Sequence, residues 1–284
     1  MKTRTLTTND FTALHRAFLE AFSDYFVPFA LSAEQLTEML RRRGYVPERS
    51  VGVFDDDRMV AFTCNGAGQW HASGGPSTAL YDSGTGVVPA YRRRGLARQM
   101  FELLLPIARE TGASRYVLEV LEPNEAARNL YTSLGFSVTR RLQCWSLPGR
   151  VDVGSAAIVV EPVAAPDWSR MAAMRDVNPS WQNSDHSIDR AGDEHVVLAA
   201  FDAGAPIGFC VVFPRNGDLA QLAVSREHRR RGVGHALLDA AVAHSLSGAL
   251  RIINVDDSDA GIASFLRSCG AVPTIAQFEM VAVL

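Results

Sequence analysis

One short pattern occurs twice in this chain and constrains the fold more than any other feature. The first copy runs Val87, Val88, Pro89, Ala90, Tyr91, Arg92, Arg93, Arg94, Gly95, Leu96, Ala97. The second runs Val224, Ser225, Arg226, Glu227, His228, Arg229, Arg230, Arg231, Gly232, Val233, Gly234. Both read valine, four residues, arginine, two residues, glycine, one residue, then a small residue. Arg92 and Arg229 stand 137 positions apart in a chain of 284 residues. A repeat at half the chain length predicts two domains of one fold. Each copy follows an apolar strand-like run and precedes a helical apolar pattern. That strand–turn–helix junction suggests an anion held on backbone N–H groups.

The remaining sequence fits this division. The reading is a first domain over 1–148, a linker over 149–155 around the Pro148-Gly149-Arg150 stretch, and a second domain over 156–284. In the first half, Phe11, Leu14, Phe18 and Phe22 recur at helical spacing, and Ser32 with Gln35 reads as a capping box opening a second helix. Strands are predicted over 50–55, 59–65, 79–88 and 116–121. Residues 66–77 are glycine-rich and read as a loop. Helices are predicted over 94–111 and 124–134, the latter ended by Gly135. The second half repeats the order, with helices over 166–176, 231–245 and 260–269. Residues 178–193 are polar and show no clear period.

The charge balance limits the function. A net charge of −3 provides no general basic field for nucleic acid. No run of about 18 uncharged apolar residues is present, so no membrane span is expected. The four cysteines, Cys64, Cys144, Cys210 and Cys269, are widely spaced and form no metal-ligand cluster. They suggest a reduced, cytoplasmic protein without a metal.

Beyond the repeat, the segment Leu118, Glu119, Val120, Leu121, Glu122, Pro123, Asn124 through Leu130, Tyr131 to Gly135, Phe136 completes a recognisable set. With the doubled Arg-x-x-Gly-x-[Gly/Ala] pattern, it resembles the Gcn5-related N-acetyltransferase (GNAT) family, two domains in tandem. The resemblance implies an α/β (α+β) fold. Each domain would be a mixed, mostly antiparallel sheet flanked by helices and splayed at an acetyl-CoA site. It implies acetyl-CoA as co-substrate, held by Val87, Val88, Arg92, Arg93, Arg94, Gly95, Leu96, Ala97, Asn124 and Tyr131. A second such site would use Val224, Arg229, Arg230, Arg231, Gly232, Val233 and Gly234. It further implies acetyl transfer to a primary amine on a small molecule or peptide, with no metal, nucleic acid or membrane partner.

The chemistry needs a base for the amine and an acid for the departing thiolate. Tyr131 stands at the family's acid position. Glu119, twelve residues earlier, is similar to the base of the ribosomal-protein alanine N-acetyltransferases. Asp82 and His71 are competing bases. In the second half the matching positions hold Leu266, Asn254 and, for Asn124, Asp259. Hence the first half is expected to be catalytic and the second degenerate. The tandem layout is also similar to mycothiol synthase, but there the second domain is catalytic. Asp24, Tyr25, Phe29, Trp70 and Asp82 are candidate acceptor contacts, since an acid among aromatics suits a cationic amine. The competing reading is a non-catalytic acyl-CoA sensor.

Overall fold

The computed structural model describes residues 1–27, 29–72, 75–149 and 158–284. Two compact units emerge. The first comprises Met1–Thr139 and Glu279–Leu284, and the second Arg140–Phe278. The linker expected over 149–155 lies, from residue 150 onward, outside the described residues.

In the first unit, β1 (Lys2–Thr5) leads to α1 (Phe11–Ala21), which buries Leu14, Ala17, Phe18 and Ala21. Then α2 (Ala33–Arg42) opens on the expected capping box. The Gln35 N–H donates to Ser32 Oγ at 3.2 Å, and the Ser32 N–H donates to Gln35 Oε1 at 2.9 Å. β2 (Val51–Asp55), β3 (Arg58–Ala72) and β4 (Gly75–Val87) form an antiparallel run. The long helix α3 (Leu96–Glu110) comes next, then β5 (Arg115–Leu121) and α4 (Glu125–Ser133).

The glycine-rich stretch expected as a loop, 66–77, is mostly the paired ends of β3 and β4. Gly66 serves close approach rather than a turn. A Cβ on Gly66 would lie 2.0 Å from the carbonyl oxygen of Arg43, just past α2. Only glycine lets the strand pass there.

β4 and β5 run parallel but pair only from Ala79↔Arg115 to Tyr81↔Val117. Beyond that point the ladder ends, which opens the expected splay beside Asp82–Val87.

The strand β6 (Ser137–Leu147) starts in the first unit and continues in the second. The second unit holds β7 (Val160–Pro162), α5 (Trp168–Ala172), α6 (Asp185–Ala191), β8 (Val196–Asp202), β9 (Ala205–Phe213) and β10 (Asp218–Val224). It continues with α7 (Val233–His244), β11 (Leu250–Asp256), α8 (Ala260–Ser268) and most of β12 (Val272–Val283). β8–β10 are antiparallel, and β10 meets β11 in parallel at Asp218↔Arg251 alone, so this pair splays as well. The polar stretch 178–193 is a short 3-10 turn followed by α6. The chain end, Glu279–Leu284, belongs to the first unit, where the Leu284 N–H donates to Ser114 O at 3.2 Å.

Candidate active site

Both copies of the repeated pattern fold into the same loop. After β4, one 3-10 turn at Pro89–Tyr91 leads to Arg93 at φ 60° and Gly95 at φ 75°, and α3 begins at Leu96. After β10, a turn at Arg226–His228 leads to Arg230 at φ 61° and Gly232 at φ 86°, and α7 begins at Val233. Two left-handed residues with one residue between them, followed by the first helical residue, give a backbone turn of the kind that forms an anion nest. The first-turn N–H groups of α3, from Leu96 and Ala97, have no intrahelical acceptor and point the same way. At Gly95 the positive φ is what demands glycine, because an added Cβ would meet nothing within 4 Å. Gly234 is small for another reason: its Cβ would press on the Phe265 ring at 3.1 Å.

The arginines divide their work. The Arg92 guanidinium is engaged by acceptors of the protein itself. Its Nε–H donates to Val87 O (3.1 Å), and its terminal nitrogens donate to Ala21 O (2.9 Å) and to both Asp24 oxygens (2.7 and 2.6 Å). The Arg92 backbone N–H donates to Pro89 O. Arg94 donates to Ala90 O at 3.0 Å and lies over the Tyr91 ring. Arg93 is exposed at the loop. Asp24, expected among the acceptor contacts, therefore has both oxygens on Arg92. Val88 donates its N–H to Val60 O on β3.

A buried polar cluster lies at the splay. In β4 the ladder slips between Cys64↔Gly84 and Asn65↔Asp82, leaving Ser83 as an extra residue. This bulge puts Asp82 and Thr85 on one face. Asp82 is 8% exposed. It accepts from the Gly84 N–H (2.9 Å), Thr85 Oγ1 (2.7 Å) and the Tyr131 hydroxyl (3.4 Å). Burial raises its pKa from 3.8 to about 6, and the hydrogen bonds from Thr85, Gly84 and Tyr131 only partly oppose this. Thr85 Oγ1 also meets Thr63 Oγ1 at 2.9 Å, and Tyr116 donates to Asn65 Oδ1 at 2.5 Å.

Tyr131 reaches this cluster from α4. Its ring packs edge-on to Phe101, with centroids 5.7 Å apart, and beside Phe136. Burial first, then the Asp82 charge, pushes its hydroxyl well above the usual tyrosine value. Asn124 caps α4 through the Ala127 N–H at 3.2 Å.

Glu119 has a different partner: the Tyr81 hydroxyl donates to it at 3.0 Å. Strand alternation sets Glu119 and Tyr116 on opposite faces of β5, and Tyr131 packs on the Tyr116 side through Phe101. The structure thus brings Asp82, rather than Glu119, to Tyr131. Phe29 packs against Phe18 and Phe22 at 5.2 and 5.4 Å, as part of the core. Trp70 is buried on β3, and His71 is exposed at the far end of that strand. Thr63, Asn65, Thr85 and Tyr116 join the site without any local signal in the sequence.

The second unit keeps the loop, with other residues at the positions matching Tyr131 and Glu119. Leu266 is fully buried at the position matching Tyr131. Asn254, at φ 60°, donates to Ser180 Oγ (3.1 Å) and accepts from Gln277 (2.7 Å). Asp259 caps α8 through the Ile262 N–H, as Asn124 caps α4. A cleft of about 790 Å³ opens beside this loop, lined by Arg230, Gly232, Gly234, Asn254 and Leu266 among others. Among the described residues, no three His, Cys, Asp or Glu side chains gather as metal ligands. Among them, too, no helix is long and apolar enough to cross a membrane.

Residues 13–136 and 164–271 each match the acetyltransferase (GNAT) family. The chain belongs to the GNAT family. Each matched segment contains one copy of the repeated loop. A curated relative, N-alpha-acetyltransferase 30 of Schizosaccharomyces pombe, is 32% identical over 104 residues, which is 36% of this chain and 67% of the relative. Among solved structures, a putative acetyltransferase from Pyrococcus horikoshii superposes with a TM-score of 0.72 at 18% identity, covering 100% of this chain and 89% of that one. A tandem GNAT protein from the clavulanic acid biosynthesis pathway gives 0.70 at 17% identity, covering 99% and 98%. These structural likenesses establish the fold: tandem GNAT units built on mostly antiparallel sheets flanked by helices. The family makes the protein an acetyltransferase.

Proposed function

We propose that the first unit transfers an acetyl group from acetyl-CoA to a primary amine, with Asp82 as base and Tyr131 as acid. The observation that carries this reading is the buried Asp82–Tyr131 hydrogen bond at the splay between β4 and β5. The nest of residues 93–97 fits the pyrophosphate of acetyl-CoA, since its N–H groups converge at a helix start. The open ladder edge beyond Tyr81 suits an extended pantetheine arm.

The amine attacks the thioester carbonyl and forms the C–N bond as the C–S bond breaks. Its surplus proton passes to the ionised Asp82. The leaving sulfur takes the Tyr131 proton. Asp82 then returns its proton to Tyr131, and the pair is reset. The coupling favours this order. An ionised Asp82 holds the Tyr131 proton tightly, and once Asp82 is neutral that hold ends.

The acceptor we favour is the α-amine of a peptide. Such an amine titrates near 7.7–8.0, whereas a lysine side chain titrates near 10.4. Asp82, at about 6, matches the first far better. The N-alpha-acetyltransferase relative supports the same choice.

The second unit has the nest and cleft, but Leu266 stands at the position of Tyr131 and Asn254 at that of Glu119. This supports a role in holding a CoA-type ligand without transfer, the sensor reading confined to that half.

The test is to supply acetyl-CoA with peptides whose N-termini are free or blocked and to follow product by mass spectrometry. Acetylation of free N-termini only, lost at least 100-fold in both Asp82→Asn and Tyr131→Phe, is the expected result. Retention of rate within threefold in both variants would sink the assignment.

A further inference from the structure

An ion pair ties the cradle to the connection between the first two helices of each unit, α1–α2 in the first and α5–α6 in the second, and the geometry is similar. In the first unit Arg92 ties Val87 O, Ala21 O and Asp24 together. In the second, Arg229 Nε donates to Val224 O at 2.9 Å, its terminal nitrogens reach Met174 O at 3.4 Å, and Asp176 lies 2.7 Å away. Each arginine thus holds three points: the end of the strand before the cradle, the end of a helix on the neighbouring connection, and an aspartate just beyond it. A guanidinium has five N–H donors in a fixed fork. In Arg92 four bonds go to these protein acceptors, so the side chain is built into the loop rather than offered outward.

The residue after the aspartate differs between the units. Asp176 is succeeded by Val177, and Asp24 by Tyr25. Tyr25 is largely buried. Burial pushes its hydroxyl above the usual tyrosine value, and the Asp82 charge adds to this. Tyr25 in turn acts on Tyr131. Its ring stands edge-on to Phe22 at 5.1 Å and to Phe26 at 5.6 Å. So the tyrosine appended to the clasp occurs in the unit that carries the Asp82–Tyr131 pair.

We infer that Arg92 and Asp24 are positioning residues: they clasp the α1–α2 connection, with Tyr25 next in the chain, to the cofactor loop. Arg92 is then not a phosphate contact, and Asp24 is not a contact for the amine. The role of this connection in selecting acceptors rests on the acetyl-transfer reading above. The clasp itself does not. The clasp is solvent-exposed on both partners, so its effect is to hold geometry rather than to add much stability.

The experiment compares Arg92→Gln, Asp24→Asn, the double variant, Asp24→Glu and Tyr25→Phe. Hydrogen exchange is followed by mass spectrometry, acetyl-CoA binding by calorimetry, and kinetics with one free-N-terminal peptide. Amides 22–27 are expected to exchange at least tenfold faster in Arg92→Gln, Asp24→Asn and the double variant alike. Acetyl-CoA affinity should stay within threefold of the parent. The KM for the peptide should rise at least fivefold, the double variant being no worse than either single one. Asp24→Glu should restore part of the protection. Tyr25→Phe should keep the protection and change only the peptide KM. The inference is overturned if Arg92→Gln weakens acetyl-CoA binding tenfold while Asp24→Asn does not, since Arg92 then holds phosphate. It is overturned equally by unchanged exchange at 22–27. Exchange and calorimetry need no turnover. A protein that acetylates no peptide therefore defeats the transfer reading while the clasp is still decided.

Discussion

Replacing Asp82 by asparagine should make the protein more stable and far less active. Asp82 is buried, and its pKa stands at about 6 instead of 3.8. At about 1.4 kcal/mol per pKa unit, holding this group ionised costs the folded protein about 3 kcal/mol at pH 7. The sign follows from the raised value. Any stability the group contributes is full below pH 3.8, and it is lost as the pH climbs through about 6. Asparagine stays neutral and can still accept from the Gly84 N–H. It presents an amide where Asp82 accepts from Thr85 and Tyr131, which costs about 1 kcal/mol. The net gain is about 1–2 kcal/mol above pH 7, or roughly 2–4 °C or more in melting temperature. It should vanish near pH 4. Activity should fall about 10²–10⁴-fold, the usual worth of a general base. Scanning calorimetry from pH 4 to 8, beside peptide acetylation, reads both effects. A variant that melts lower at pH 7.5, or whose stability difference ignores pH, shows that Asp82 is not a buried ionised carboxylate. A variant with full activity shows that the base lies elsewhere.

Tyr131→Phe should lower kcat about 100-fold, while its long 3.4 Å hydrogen bond makes the stability loss no more than about 1 kcal/mol. A chemical melt and a rate measurement check this. Glu119→Gln should stay within about tenfold of the parent rate, since glutamine can still accept from Tyr81 and the base role falls to Asp82. A loss equal to that of Asp82→Asn would return the role to Glu119. The parent kcat/KM should rise with pH through about 6 as Asp82 ionises, and a pH–rate profile with no inflection there contradicts that role. Gly66→Ala should cost at least about 2 kcal/mol by denaturant titration, because its Cβ meets a backbone carbonyl that cannot yield easily.

The parts of the fold legible in the sequence were those specified locally. The nest was readable because it is contiguous and needs a glycine at positive φ in each copy. The Ser32–Gln35 cap and the helix ended by Gly135 were readable for the same reason. The Asp82–Tyr131 pairing was not. A bulge at Ser83 shifts the strand's phase, so alternation alone does not place Asp82 and Thr85 on one face. The clasp was hidden because Arg92 and Asp24 are 68 residues apart, and each has a bland reading on its own. The stretch 66–77 misled because glycine marks both turns and close packing, and only the neighbouring Arg43 carbonyl separates the two. The return of Glu279–Leu284 to the first unit is a non-local pairing that no repeat unit announces.

The central claim is that acetyl transfer belongs to the first cradle. It is tested most directly by measuring acetyl-CoA binding stoichiometry and peptide acetylation together in the parent, Gly95→Trp and Gly232→Trp. Each substitution puts a bulky side chain at a left-handed position inside one nest. Gly95→Trp should abolish acetylation and remove one equivalent of bound acetyl-CoA, and Gly232→Trp should leave the rate within threefold. Acetylation that survives Gly95→Trp but is lost in Gly232→Trp would contradict the account, as would a parent protein that binds no acetyl-CoA.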